Sequence, residues 1–267
     1  MTIITAPASR STKVSIKRPA DRRSMSRSAT RALEVLECFG KEQRWLRAIE
    51  IARMLGLRSS TANQLLKTML DSAYLVFDVR TKAYFPSPCL TDFSSLMGRA
   101  FRGHDRLRLL VADLHVRTGL SVTLSTPNGL FMQILHIEMP SDQHTERGLQ
   151  VGLFGSAIGS AYISSLSNDT IHDLGIRAGL DPLTLPSFLH AVQGIRHKGY
   201  ADGIGPDEAV WTIAMPIPSG NSPMPLVLAV AGDRHAIEPA VVTLTTLMKD
   251  TLAHWLDGAA EVEASVP

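Results

Sequence analysis

The sequence predicts an α+β chain of two unlike units, a small helical one carrying a two-stranded hairpin and a larger one built on a mostly antiparallel sheet. Three observations carry this. The 267 residues are too many for one small domain and too few for three. Apolar residues make up 45%, enough for a sizeable core. The charge also divides. Residues 1–102 hold 18 Lys/Arg against 8 Asp/Glu, and residues 103–267 hold 9 against 17, so a half of +10 adjoins a half of −8. A chain in which one domain meets a polyanion shows this asymmetry, although basic residues gathered on a solvated face would give the same count.

Residues 1–25 are rich in Ser, Thr, Arg, Lys and Pro and carry few bulky apolar groups, which predicts a disordered basic arm. It is either a solubilising tail or a segment that lies on phosphates. A helix is expected from Ser28, with Ala32, Leu33, Val35, Leu36 and Phe39 on one face and Gly40 as its stop. Leu46–Leu55 repeats Leu46, Ile49, Ala52, Met54 and Leu55 at helical spacing. Gly56 follows, where a tight turn needs a left-handed residue. Arg58-Ser59-Ser60-Thr61 offers hydroxyls suited to an N-cap, and a third helix runs to about Ser72. Two short strands, Tyr74–Phe77 and Ala83–Phe85, flank a polar tip at 78–82. From Cys89 to about Arg102 a linker helix is expected.

The second half alternates. A helix spans about 105–118, then strands at 121–125 and 130–137 flank the turn Pro127-Asn128-Gly129. A strand at 149–153 leads through Gly155-Ser156-Ala157 into a helix ending at Leu166. Two more helices precede Gly199. Strands at 200–202, 211–217 and 226–231 and a helix over 238–256 complete it. Several hairpins in mixed order predict an α+β domain with an antiparallel sheet. The domains are then 1–25 arm, 26–86 helix-turn-helix with hairpin, 87–104 linker helix, 105–258 second domain and 259–267 tail.

Helix, Gly56 turn, helix and basic hairpin make a winged helix-turn-helix. In such a unit the second helix enters the major groove and its N-terminal side chains reach base edges. Here Arg58, Ser59, Ser60, Thr61, Asn63, Gln64 and Lys67 lie on or beside its polar face. Asn and Gln can bond adenine bidentately, and Lys can reach phosphate or guanine. Arg80 and Lys82 at the wing tip would meet phosphate. A three-helix packing unit with a polar face is the alternative. The expected partner is a double-stranded DNA operator.

At these residues the chain resembles the IclR family of bacterial regulators. The resemblance lies in 31–36 (Arg-Ala-Leu-Glu-Val-Leu), 49–53 (Ile-Glu-Ile-Ala-Arg) and 55–69 (Leu-Gly-Leu through Met69). It continues through Leu107–Gly119, Val151-Gly152, 157–161, Gly199-Tyr200-Ala201 and 213–217, spanning roughly 26–256. It implies a GAF-like effector domain, a homodimer or homotetramer on a partly palindromic operator, and control by a small, often acidic, metabolite. The chain departs from the family in four places. Gln64 stands where an arginine is usual, and Ala229 and Ala231 where serines are frequent. The loop between Gly152 and Gly159 is shorter by about three residues. The acidic stretch after Ala201 aligns poorly, so the sensing pocket reads as less polar.

Gly155, Ser156 and Ala157 open a helix whose free N–H groups and dipole favour an anion, so they are the expected carboxylate cradle. A Gly-rich helix start packing close to a strand is the plain alternative. Val227, Ala229 and Ala231 share one strand face and form the expected wall for an effector's body.

Other chemistries are weakly supported. Nine histidines are scattered without ligand spacing, and His-Glu-x-x-His is absent. Gly155–Gly159 is not a nucleophile elbow, and Gly203-Ile204-Gly205 is too short for a dinucleotide fingerprint. Asp202, Asp207 and Glu208 near His197 could be drawn as acid/base groups, but loops commonly carry such residues. No catalytic residue, metal or cofactor is expected. Two cysteines make no disulfide framework, and no apolar run suggests a signal peptide or membrane span, so a cytoplasmic protein is expected. The competing reading is a small-molecule-binding module or degenerate enzyme whose N-terminal domain serves oligomerisation.

Overall fold

A computed structural model describes residues 14–18, 26–100, 104–140, 148–205, 207–219, 222 and 224–263. The chain divides into two compact units, residues 22–100 and residues 1–21 with 101–267. The first element among the described residues is a short strand, β1 (Ile16–Lys17), which belongs to the second of these.

In the smaller unit come α1 (Arg27–Glu42), β2 (Leu46–Arg47), α2 (Ala48–Met54), α3 (Ser59–Asp71), β3 (Leu75–Asp78), β4 (Ala83–Pro86) and α4 (Cys89–Ala100). Val35, Cys38, Phe39, Leu46, Ile51, Leu66, Met69 and Leu75 form one buried core. Helix α1 runs through Gly40 and is ended by Gln43 in the left-handed region, its N–H donating to the Phe39 carbonyl. An exposed glycine costs a helix only about 1 kcal/mol, less than the packing of Cys38 and Phe39 just before it returns. Helix α2 is shorter than the periodicity predicts, because Leu46 and Arg47 pair with Tyr84 and Ala83 and make β2 the third strand of the wing sheet. Gly56 has φ +60 and turns α2 into α3 as expected.

In the larger unit come α5 (His104–Thr118), β5 (Ser121–Asn128), β6 (Phe131–Glu138), β7 (Gln150–Gly152), α6 (Ala157–Ser164), α7 (Asn168–Arg177), α8 (Leu185–Lys198), β8 (Ala201–Ile204), β9 (Val210–Pro216), β10 (Val227–Asp233), α9 (Arg234–Ile237) and α10 (Val241–Glu263). The seven strands lie in the order β1-β7-β6-β5-β10-β9-β8, and each neighbouring pair is antiparallel. Alternating side chains give the sheet two faces. Val122, Leu124, Ile213, Leu228 and Val230 point to α5 and α10. Met132, Ile134, Ala201, Ala214, Val227 and Ala229 point to α6, α7 and α8. The sheet is thus the middle of three layers.

The disordered arm expected over 1–25 needs correction where it is described. Ile16 lies opposite Val151, Lys17 opposite Gln150, and the Gly152 N–H donates to the Ser15 carbonyl at 2.7 Å. Val14 and Ile16 pack on the α6-side core. Composition hid this strand because the edge of β7 supplies the partner, so two alternating β-branched residues suffice. The rest of the expected arm lies outside the described residues.

Candidate nucleic-acid interface and effector site

Helix α3 buries Ala62, Leu66 and Met69 and leaves Ser59, Ser60, Thr61, Asn63, Gln64 and Lys67 exposed, so its polar face is turned to solvent. Its N-cap is Arg58, extended and without a side-chain cap bond. The expected hydroxyl cap is therefore not formed. Ser59, Ser60 and Thr61 sit inside the first turn, and their hydroxyls are not used to cap the helix. Uncapped first-turn N–H groups and exposed hydroxyls suit an oxyanion of a phosphate. Thr68 is also exposed, but its hydroxyl donates back to the Gln64 carbonyl at 3.0 Å.

The wing tip is set by Asp78. Its carboxylate accepts the Thr81 hydroxyl at 2.7 Å and the Arg80 N–H at 2.9 Å, and these bonds hold it below the usual carboxylate range. This closes the turn with Arg80 and Lys82 exposed, Lys82 in the left-handed region at φ 52. Sequence reasoning missed Arg47. It is exposed on β2, beside wing strand β4, and only the third strand brings it there. The adjoining groove, about 620 Å³ and lined by Arg44, Trp45, Arg47, Glu50 and Asp78, carries both signs of charge. Arg44 is bound there by Glu42 and Glu50 at 2.9 and 2.8 Å, so it is not offered to an anion as Arg47 is.

In the larger unit, Gly155 takes φ +82 and Ser156 caps α6. The Ser156 hydroxyl donates to the Gly152 carbonyl at 2.6 Å and accepts the Gly159 N–H at 3.0 Å. Ser156 and Ala157 are buried. What this turn offers a ligand is its backbone N–H groups; the Ser156 side chain is already committed.

The strand wall also differs from expectation. Ala229 lies opposite Ala214, and Ala214 opposite Ala201, so a row of alanines crosses three strands. Helix α6 packs on these strands, and Val227 and Ala229 are buried within its core. Part of the room left by small side chains is filled by α6 itself. Ala231, one pair along, is only half-buried, between Ser121 and the buried Thr212. Opposite Ala229 on β5 stands Thr123, whose hydroxyl oxygen is buried without a hydrogen-bond partner among the described residues. An unmet buried hydroxyl costs about 1–3 kcal/mol. A hydroxyl inside a strand carries no sequence signal, so Thr123 could only be found once the register was known.

Among the described residues no His/Cys/Asp/Glu group could hold a metal ion, and no helix is long and apolar enough to cross a membrane.

Comparison with known proteins agrees with this layout. Residues 28–79 match the family profile of the IclR helix-turn-helix domain. The chain is 23% identical over 200 residues to the HTH-type transcriptional regulator XynR of Escherichia coli K12, covering 71% of this chain and 79% of that protein. It shares its fold with the Thermotoga maritima IclR (TM-score 0.57, 18% identity, 85% of this chain and 96% of that one). It shares it also with an IclR transcriptional regulator from Alicyclobacillus acidocaldarius (TM-score 0.55, 20% identity, 87% and 98%).

Proposed function

We propose that the chain, whose residues 28–79 match the IclR helix-turn-helix domain, is a DNA-binding transcriptional regulator of that type, that it reads an operator through α3, and that it adjusts its grip when the sheet unit binds a small organic acid. The single observation behind the first part is the solvent-facing polar row Ser60, Asn63, Gln64, Lys67 on a helix whose opposite face is core. Asn63 and Gln64 take the base edges, while Lys67, Arg80, Lys82 and Arg47 take phosphates, which position without specifying. Gln64→Ala and Asn63→Ala are expected each to reduce discrimination between operator and random DNA by about 1–3 kcal/mol. Unaltered selectivity of both variants in a competition assay would remove the assignment.

The second part rests on Thr123. An effector's carboxylate sits on the N–H groups of Gly155, Ser156 and Ala157, and its body lies towards Ala231 and Ala229 with the Thr123 hydroxyl as a polar partner. A thermal-shift screen of aromatic and short-chain organic acids identifies the ligand, since binding raises stability with concentration over Kd. Ala231→Leu should then abolish the shift and the DNA response while unliganded operator binding survives. A normal response in that variant would place the pocket elsewhere. Ala229→Leu is the poorer probe, because it would strike α6.

Self-association as a homodimer or homotetramer is part of the same reading. Phe93 and Leu96 on α4 are 53% and 62% exposed, and Leu33 on α1 is 64% exposed. A second copy covering them would match a palindromic site.

A further inference from the structure

Where β9 turns back towards β10, the larger unit holds a cleft of about 330 Å³ between that hairpin and the C-terminal end of α6. Tyr162 lines it from the helix, and Pro216, Pro218, Met224 and Pro225 line it from the hairpin. It lies at the opposite end of α6 from Gly155–Ala157 and shares no residue with that turn, nor does it include Thr123, Ala229 or Ala231. A cavity of about 150 Å³ takes up benzene, so this cleft has room for one substituted ring or two fused rings.

Both walls are braced from outside. Arg196 donates to the Ser164 and Leu166 carbonyls and to the Asn168 side-chain oxygen, which fixes the end of α6. On the hairpin, the Ile217 N–H donates to the Leu226 carbonyl at 2.9 Å, and the Thr126 hydroxyl donates to the Pro225 carbonyl at 2.9 Å. Each proline ring also fixes its own φ. A ligand therefore meets walls already in place, which lowers the ordering cost of binding.

The lining selects the occupant. Among the described residues no charged side chain lines the cleft. The three prolines have no N–H, so an anion finds few donors there, and burying an unpaired charge is costly. What the walls offer is apolar rings and neutral hydroxyls. Tyr162 is half-buried, and burial alone pushes its phenol above the ordinary range, with no hydrogen bond acting on it. It stays a neutral donor and acceptor on a ring that stacks well against other rings.

We propose that this cleft binds an uncharged hydroxylated aromatic molecule, in the simplest case a phenol. The ligand's ring lies against Tyr162 and the proline rings, and its hydroxyl exchanges a hydrogen bond with the Tyr162 hydroxyl. This is a second ligand site, and it stands whether or not the other end of α6 takes an acid.

The test titrates the full chain, labelled at its methionine methyls, with 2-naphthol, 2-methylnaphthalene and 2-naphthoate. The Met224 resonance, assigned by its loss in Met224→Leu, reports on the cleft. 2-Naphthol should move it saturably. 2-Methylnaphthalene, without the hydroxyl, should bind about 2- to 10-fold more weakly. 2-Naphthoate should leave the resonance in place, even if it stabilises the protein from the other end of α6. Tyr162→Phe should bind 2-naphthol and 2-methylnaphthalene equally. Ser219→Trp, at an exposed position of the lining, should fill the cleft and abolish the shift without lowering the melting temperature. No saturable shift with any of the three compounds would overturn the site. So would 2-naphthoate binding as tightly as 2-naphthol, or a preference for the hydroxyl that survives Tyr162→Phe. A shift caused by a polyproline peptide and by none of the rings would overturn it in favour of a peptide partner.

Discussion

Helices α3 and α6 both open with small hydroxyl residues after a glycine-containing turn, yet they commit those residues oppositely. In α3 the first-turn serines and threonine are exposed, and the N-cap is an arginine without a side-chain bond. In α6 the serine is the cap, buried, and bonded on both sides to its own turn. One helix start is presented to a partner and the other is locked into a core. Motifs of similar composition therefore divide into contact and scaffold by what lies over them.

The largest effect should come from Gly159→Ala. A Cβ there would stand 1.9 Å from the Leu153 carbonyl oxygen, a backbone atom that cannot step aside. Overpacking of this kind costs about 1–3 kcal/mol and sometimes more, and this clash belongs at or above the upper end. Chemical denaturation followed in the larger unit measures it. An unchanged midpoint would mean that α6 is not seated as described.

A matched pair gives the next effect. Ser156→Ala removes a buried cap and leaves the Gly152 carbonyl without its hydroxyl donor, so stability should fall by about 1–3 kcal/mol. Ser60→Ala, at an exposed position of α3, should change stability by less than about 0.5 kcal/mol and weaken DNA binding instead. If the two variants lose stability equally, the contrast between the helix starts fails.

The smallest effect concerns pH and the wing. The Asp78 carboxyl is lowered by its bonds to Thr81 and to the Arg80 N–H. Its contribution to the turn is therefore complete above the ordinary carboxylate pKa of about 4 and is lost as pH falls through the lower folded value. The Thr81 resonances should keep their ordered shifts down to about pH 4 and move only below it. Asp78→Asn should show the disordered shifts at neutral pH. Movement well above pH 4 would show that another group sets the turn.

Much of this protein is determined by its sequence alone. The apolar spacing of α1 to α3, the Gly56 turn and the paired strands around Asp78 specify a winged helix-turn-helix, because each depends on neighbours a few residues away. The hairpins of the larger half follow from local turn chemistry in the same way. Tertiary structure decided the rest. It extended α1 through Gly40, because core packing outweighs one glycine. It paired Leu46 and Arg47 with β4, which brought Arg47 to the wing. It drew Ile16 and Lys17 onto β7, a partner more than a hundred residues away. It also laid α6 over Ala229 and left the Thr123 hydroxyl without a partner. Strand register and the depth of a helix above a sheet depend on contacts distant in sequence, which periodicity does not encode.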